Sequence, residues 1–186
     1  ANAYTDSEEK LGEALHDVRE HVVISTKSSA ADKKTALAHI EESLRRLQTD
    51  YIDLGMIHYV DSEREWEQIQ HSEYLDYIME LKNSGAIRHI GISSHNPKVA
   101  IQAAESGYVE MILFSINPAF DMLPASEDAD MMFAEEYAAG LKGIDADRAK
   151  LYRVCEQNDV GITVMKGFAG GRLFDAKRSP FGVSLT

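Results

Sequence analysis

The sequence has little cysteine, since Cys155 is the only one among 186 residues. A single thiol excludes an internal disulfide and a zinc or iron–sulfur site built from cysteines of this stretch. The chain also lacks an apolar run of about 18 residues, a signal-peptide core and a basic targeting arm. We therefore expect a cytoplasmic protein.

Basic residues are the minority among the charged ones. The 19 lysines and arginines stand against 31 acidic residues, which gives a formal net charge of -12. That charge repels phosphate backbones and anionic lipid headgroups. We expect neither nucleic acid nor a membrane surface as a partner, and the composition leaves the oligomeric state open.

The residues that are present alternate between helical and strand patterns. Thr5 to Leu15 has apolar residues at helical spacing, and Thr5 and Glu8 match the T-x-x-E capping box of a helix start. His21 to Ser25 is a β-rich run, too short for a helix. Four further strands are predicted at 51–57, 87–92, 109–114 and 161–164. This order predicts a parallel α/β sheet with crossover helices, either an open doubly wound sheet or a closed barrel.

Polar side chains at the strand ends favour the barrel. In a closed barrel the loops after all the strands converge on one face, whereas an open sheet binds ligands at one switch point, usually with a glycine-rich first turn. Neither G-x-G-x-x-G nor G-x-x-x-x-G-K-[ST] occurs here. Polar residues follow the carboxyl ends of five different strands instead: Lys27, His58, Ser93-Ser94, Asn117 and Lys166.

Both ends of the sequence lack features of a complete barrel. The chain begins with Ala1-Asn2-Ala3-Tyr4 in place of Met and stops soon after a loop signal. Five predicted strands are also fewer than the eight of a TIM barrel. We expect one partial TIM (β/α)8 barrel domain over residues 1–186, with the first and last barrel units missing.

Four motifs occur in the order in which the aldo-keto reductase family carries them. Ala1–Glu9 resembles the family's D-T-A-x-x-Y-G-x-S-E from its alanine onward, with Thr5 in place of the glycine. Thr26-Lys27 is similar to its T-K, Asp50–His58 to its D-x-x-D-L-x-x-x-H, and Gly85–Ser93 to its G-x-I-R-x-I-G-x-S. The resemblance implies an NAD(P)H-dependent oxidoreductase that reduces aldehydes or ketones.

The resemblance also implies roles for three side chains. Tyr4 would give its proton to the carbonyl oxygen, the Lys27 ammonium would favour the ionised phenol, and His58 would orient the carbonyl. The family's fourth member, an aspartate five residues before Tyr4, falls outside this sequence. Taken alone, Tyr4 would by default be a core residue, and Lys27 as a surface lysine and His58 as a structural histidine remain open alternatives.

The cofactor residues implied by the resemblance are less regular. A Ser-Asn pair that holds the nicotinamide carboxamide in relatives is here Ser93-Ser94, and the usual glutamine of the next strand is replaced around Leu113 and Phe114. The loop from Lys166 onward would bind the pyrophosphate of NADP(H) or NAD(H). The full set is Ser93, Ser94, Asn117, Met165, Lys166, Gly167, Phe168, Gly170 and Gly171.

Several alternatives remain open from the sequence. The later part resembles a branch that often carries a C-terminal ferredoxin-like module, so an iron–sulfur cluster is implied only there. A cofactor-sensing regulatory subunit with little turnover is a second function, and a metal-dependent hydrolase using His58, His89 and His95 is a third. Residues 117–146 form an acidic insertion, either a structural flap with short helices or a lid over the site.

Overall fold

The computed structural model describes residues 4–29, 32–134 and 141–185. Ala1–Ala3 of the first motif and residues 135–140 of the insertion lie outside them. The strands are β1 Ser25–Ser28, β2 Ile52–Ile57, β3 Ile87–Ser94, β4 Met111–Ser115 and β5 Gly161–Met165. The α-helices of this part are α1 Ser7–Leu15, α2 Lys33–Leu47, α3 Glu63–Gln70, α4 Glu73–Ser84, α5 Pro97–Glu105 and α6 Ala146–Gln157. Short 3₁₀ helices span His16–His21, Phe120–Met122, Ala129–Phe133 and Ala169–Phe174.

All five strands are parallel and lie in the order β1-β2-β3-β4-β5. An unreversed order means that every crossover goes in the same direction, and right-handed crossovers then place the helices on one face. A doubly wound sheet reverses its order at a switch point. The predicted alternation of parallel strands and helices is confirmed, and the strand order is that of a barrel segment.

The core lies between the sheet and its helices, with β3 at its centre. Ile87, Ile90 and Ile92 of β3 are at most 1% exposed, and they pack in one apolar cluster with residues of α4, α5 and α6. Because protein interiors are close-packed, such contacts leave the central strands little freedom. The side chains that follow β2 and β3 are thus held by a rigid base.

The first helix and strand start later than predicted. Helix α1 begins at Ser7, and its N-cap Asp6 makes no side-chain cap, so the predicted capping box is wrong. Glu8 is buried and accepts hydrogen bonds from the hydroxyls of Thr26 and Ser43 instead. The β-rich run at His21 to Ser25 is mostly a loop, with Val23 74% exposed, and sheet pairing starts only at Ser25.

Asp53 joins three segments at the amino end of the sheet. Its carboxylate accepts from Arg19 Nη2 at 2.8 Å, from Arg88 Nη1 at 2.9 Å and from the backbone N–H of Ile24 at 2.9 Å. Burial would raise the pKa of Asp53, but these donors outweigh it and hold the pKa below its ordinary value. The second aspartate of the Asp50–His58 motif therefore fixes the fold at the end opposite the predicted site.

The insertion has a small apolar core of its own. Within its described part, short 3₁₀ helices pack on the loop after β5, as the flap interpretation expected. Arg148 of α6 is buried and donates to the carbonyls of Ser115 and Leu123, and Arg172 donates to the carbonyl of Met132. The cluster consists of Ala119, Phe120, Leu123, Ala129, Met132, Ala169 and Leu173.

In the part of the chain that the structure describes, none of the helices combines the length and apolar character needed to cross a bilayer.

Candidate active site

Tyr4, Lys27 and His58 come together at the carboxyl end of the sheet, and we call them the tyrosine cluster. Thr26 and Ser28 bond to groups of α1 and α2, so Lys27 points to the opposite, helix-free face of β1. His58 directly follows β2. The rings of Tyr4 and His58 meet edge-on with centroids 6.0 Å apart, and Lys27 Nζ lies 5.3 Å from the Tyr4 ring centroid. The three residues that the motifs indicated are neighbours in space.

The two basic side chains of this cluster have lowered pKa values, so each loses its proton more readily than usual. Burial lowers the pKa of the Lys27 ammonium, and burial together with the positive charge of Lys27 lowers the pKa of His58. Within residues 4–29, 32–134 and 141–185, Lys27 makes no hydrogen bond and no ion pair. The site therefore presents a half-buried cation beside a tyrosine ring and a neutral imidazole.

A second group, the aspartate network, consists of Asp61, Ser94, His95 and Asn96 and is buried next to the first. Asp61 accepts from the Ser94 hydroxyl at 3.0 Å, from the backbone N–H of His95, and from His95 Nδ1 at 2.9 Å. Asn96 Nδ2 donates to the Asp61 carbonyl at 2.8 Å. Burial would raise the pKa of Asp61, but the hydrogen bonds from His95 and Ser94 outweigh it and keep the carboxylate ionised.

Ser93 and Ser94 are the last two residues of β3 and are both buried. The Ser93 hydroxyl oxygen accepts from the backbone N–H of Tyr59 at 2.8 Å, and the Ser94 hydroxyl donates to Asp61. Both side chains thus already bond to the protein, and their contact with a carboxamide stays a prediction.

Lys166 follows β5 and is fixed at both of its ends. Its backbone has a left-handed φ of 55°, and its carbonyl accepts from Asn117 Nδ2 at 3.0 Å. Its Nζ lies 2.5 Å from Nε2 of His95. Asn117 uses its other amide atom to cap the turn at Ala119 and Phe120, so it supports Lys166. Any direct contact of Asn117 with a cofactor remains a prediction.

The glycine-rich loop after Lys166 is open on one side. A side chain at Gly167 or Gly171 would meet nothing within 4 Å, whereas one at Gly170 would lie 3.0 Å from the ring of Phe133 in the insertion. Phe168 is 58% exposed and packs against Phe174. Gly167 and Gly171 leave room for close approach of a phosphate, while Gly170 makes room for Phe133. Met165 ends β5 beside this loop.

The three histidines of the hydrolase alternative do not form one ligand set. His89 lies within β3, and its Nδ1 is hydrogen-bonded to Glu110. His95 follows the end of that strand, and its Nδ1 is hydrogen-bonded to Asp61. In the described ranges no three histidine, cysteine or acidic side chains are grouped as metal ligands.

Sequence reasoning missed Asp61 and Tyr59, and it considered His95 only as a metal ligand. The Tyr59 ring lies between His58 and His95, with centroids 6.4 Å and 5.3 Å away, and its φ is 62°. A signal was present, because Asp61 and His95 each follow the end of a strand and the ends of neighbouring parallel strands meet at one edge. Asn96 and Pro97 also mark a helix start that places His95 in a short, fixed turn.

The comparisons with known proteins agree on one family. Among curated proteins, the aldo-keto reductase YhdN of Bacillus subtilis is 27% identical over 149 residues, which are 73% of this chain and 42% of the relative. Methylglyoxal reductase DkgB of Salmonella typhi is 31% identical over 94 residues, which are 48% of this chain and 34% of the relative. The chain spans less than half the length of these curated relatives.

Solved structures confirm the partial TIM barrel. Aldo-keto reductase AKR11C1 from Bacillus halodurans, in its holo form, matches with a TM-score of 0.63 and 24% identity over 89% of this chain and 50% of that chain. An aldo/keto reductase from Klebsiella pneumoniae, in complex with NADP and acetate, matches with a TM-score of 0.60 and 22% identity over 91% of this chain and 51% of that chain. The model of the aldo/keto reductase family matches residues 1–184, and the chain belongs to that family.

Proposed function

We propose that this chain is part of an NAD(P)H-dependent oxidoreductase that reduces aldehydes or ketones to alcohols, with Tyr4 as proton donor assisted by Lys27 and His58. The observation that carries the proposal is the meeting of these side chains, from three different elements, at the carboxyl end of the sheet. Enzymes with this fold place their chemistry at that end. Membership of the aldo/keto reductase family supports the oxidoreductase class.

Carbonyl reduction needs a hydride at carbon and a proton at oxygen. The nicotinamide cofactor supplies the hydride when it is bound. The Tyr4 hydroxyl donates the proton, and the nearby Lys27 ammonium stabilises the phenolate that remains. Because burial and the charge of Lys27 lower the pKa of His58 and keep it neutral, its single ring N–H is available to orient the carbonyl oxygen.

The residues around the site fit a dinucleotide. We propose that Ser93, Ser94, Asn117 and Met165 lie on the nicotinamide side, directly or through their neighbours. The open backbone at Gly167 and Gly171 suits the pyrophosphate, and Lys166, Phe168 and Gly170 complete that loop. The NADP complex of the Klebsiella relative supports nicotinamide use, with NADP(H) and NAD(H) both proposed here.

A small carbonyl compound is the proposed partner, in the cytoplasm. The resemblance implies an iron–sulfur cluster only in a C-terminal module, so none is proposed on residues 1–186. The insertion packs on the Lys166–Gly171 loop, and the centroid of the Phe133 ring lies 5.7 Å from Lys166 Nζ. We therefore assign the insertion the additional role of covering that loop.

The direct test uses the full-length protein with methylglyoxal, a substrate class suggested by the name of the DkgB relative. Oxidation of NADPH or NADH that depends on the carbonyl supports the proposal. Cofactor binding, seen by nicotinamide fluorescence, without turnover on a panel of aldehydes and ketones would assign the regulatory function instead. Failure to bind either cofactor would overturn both.

A further inference from the structure

We propose that Asp61, His95 and Lys166 form a hydrogen-bonded relay that aims the Lys166 ammonium at an oxyanion in the site. The ligand class is a phosphate of the cofactor or a carboxylate of the carbonyl substrate. This choice rests on the proposed function, whereas the relay itself rests on the geometry alone. Asp61 and His95 are positioning residues, because they act through Lys166.

The hydrogen-bond chemistry gives the relay one direction. A lysine ammonium has three donors and no acceptor, so Nε2 of His95 accepts from Lys166 across their 2.5 Å separation. A neutral imidazole then carries its hydrogen on Nδ1, which donates to Asp61 Oδ2 at 2.9 Å. Asp61 therefore selects the tautomer of His95, and that tautomer holds Lys166.

The relay is rigid because its members come from three strand ends. Asp61 follows β2, His95 follows β3 and Lys166 follows β5. The side chains of His95 and Asp61 are 7% and 4% exposed. The side-chain amide of Asn117 donates to the backbone carbonyl of Lys166 and fixes it. Contacts at both ends of Lys166 therefore restrict where its ammonium can lie.

The charge of Lys166 is only partly compensated. Burial and the positive charge of Lys27 lower the pKa of Lys166, while the carboxylates of Asp61 and Asp130 act in the opposite direction. Among the described residues, Lys166 forms no ion pair with a carboxylate, and His95 takes one of its three hydrogens. Two donors remain beside a second cation, Lys27, and this combination suits an oxyanion.

Nitrogen NMR of the full-length protein labelled with ¹⁵N-histidine tests the relay without reference to activity. We expect the Nδ1–H tautomer for His95 in the wild type. In Asp61→Asn the fixed donors from Ser94 and the His95 backbone keep an oxygen at the Oδ1 position, so the amide nitrogen faces His95 Nδ1. His95 should then change to the Nε2–H tautomer. A wild-type His95 already in the Nε2–H form would overturn the relay.

Inorganic pyrophosphate then probes the anion site. We expect it to shift the His95 resonances in the wild type and not in Lys166→Met. No shift of the wild-type His95 resonances with either pyrophosphate or glyoxylate overturns the oxyanion role, even if the protein reduces carbonyls. Loss of carbonyl reduction with an intact pyrophosphate response would reject the proposed function alone.

Kinetics separate the two sources of the anion. Lys166→Met should weaken the contact about 10- to 100-fold, as expected for a hydrogen bond to a charged group. A higher Kd for the reduced cofactor, with equal KM changes for methylglyoxal and glyoxylate, indicates a phosphate. A higher KM for glyoxylate alone indicates a substrate carboxylate, and no change in either overturns the proposal.

Variants of His95 show whether it acts through Lys166. In His95→Gln the amide can still accept from Lys166 and donate to Asp61, so most of the affinity should return. His95→Leu has neither group and should resemble Lys166→Met. A purely structural histidine predicts the reverse order or equal effects, because leucine fills a buried position better than glutamine.

Discussion

Both ends of the sheet contain buried or half-buried charges, but the two ends differ in how those charges are paired. At the amino end, Asp53 is neutralised by Arg19 and Arg88 at 2.8 and 2.9 Å. At the carboxyl end, Lys27 has no carboxylate partner in the described ranges, and the Lys166 ammonium is hydrogen-bonded to the imidazole of His95. The paired charges hold segments of the fold together, whereas the two cations, which form no ion pair within the described residues, are available to a ligand.

The difference shows why charge pairing locates a site better than cavity size does. A depression of about 580 Å³ lies at the amino end and is lined by His16–His21 and Gln48–Tyr51. Arg19, its principal charge, is already engaged with Asp53. In barrels the amino end serves stability and the carboxyl end chemistry. The predictions below separate these two roles.

Removing the Tyr4 hydroxyl should have the largest effect. General acid catalysis contributes about 10²–10⁴-fold, so Tyr4→Phe should lower kcat for carbonyl reduction by that factor, or roughly 3–5 kcal/mol of barrier. The ring is retained, so cofactor affinity should not change. Tyr59→Phe is the matched control, because Tyr59 also contacts His58 and is 51% exposed against 52% for Tyr4. Equal rates for Tyr4→Phe and wild type would leave Tyr4 a structural residue.

Breaking the amino-end network should cost stability and leave chemistry intact. Asp53→Asn leaves two arginines without their carboxylate, and we expect a loss of about 3 kcal/mol in the free energy of unfolding, measured with urea. The kcat of the folded enzyme should stay within about twofold of wild type. Arg88→Gln should cost less, because the Arg88 side chain is 52% exposed. A large fall in kcat would contradict the separation of roles.

The pH dependence of this loss has a definite sign. The pKa of Asp53 is lowered from its ordinary value of 3.8, so its stabilisation is present above pH 3.8 and is lost as pH falls through the lowered value. The stability difference between wild type and Asp53→Asn should therefore shrink below about pH 4. A difference that grows in acid would show that another group carries the effect.

The sequence predicted the parts of the molecule that depend on local pattern. Apolar runs located four of the five strands, β2 to β5, and the family motifs indicated Tyr4, Lys27 and His58, which lie together in the structure. The start of β1 was wrong because Val22 and Val23 have β propensity but no partner strand, while Glu8 is buried against Thr26 and Ser43. Such contacts depend on the packing of distant segments.

The aspartate network was missed for the same reason. His95 is 34 positions from Asp61 and 71 from Lys166, so no local spacing joins the three. Their proximity depends on the strand order, in which β2 and β3 are neighbours and β4 lies between β3 and β5. Only the assembled sheet makes a histidine after one strand the neighbour of a lysine two strands away.

Lys27→Met should have an intermediate effect and a diagnostic pH profile. The substitution removes the half-buried charge and keeps an apolar chain of similar length, and we expect kcat to fall about 10- to 100-fold. Because burial lowers the pKa of Lys27, wild-type activity should fall as the ammonium loses its proton at alkaline pH. In the variant this alkaline limb should be absent, since the ammonium that loses its proton has been removed. Lys150→Met, on the exposed surface of α6, should change neither quantity.

The smallest effect on the proposed function is expected at the loop Lys166–Gly171. Substitutions of Gly167 and Gly170 test different properties of that loop. A side chain added at Gly167 would meet nothing within 4 Å, and the backbone there is not left-handed, so Gly167→Val should leave the unfolding free energy nearly unchanged. The added side chain enters the space proposed for the pyrophosphate, and the Kd for NADPH or NADH should rise about tenfold, or roughly 1.4 kcal/mol.

Gly170→Val would confuse the two effects, because its φ is 64° and its side chain would press on Phe133. It should lower stability as well as affinity. Ala176→Val is the matched control for Gly167→Val, since Ala176 is exposed in the same terminal segment. If nicotinamide fluorescence gave Gly167→Val the same Kd as Ala176→Val, the pyrophosphate would not lie on this loop, and the carboxyl-end cations would have to bind their anion elsewhere.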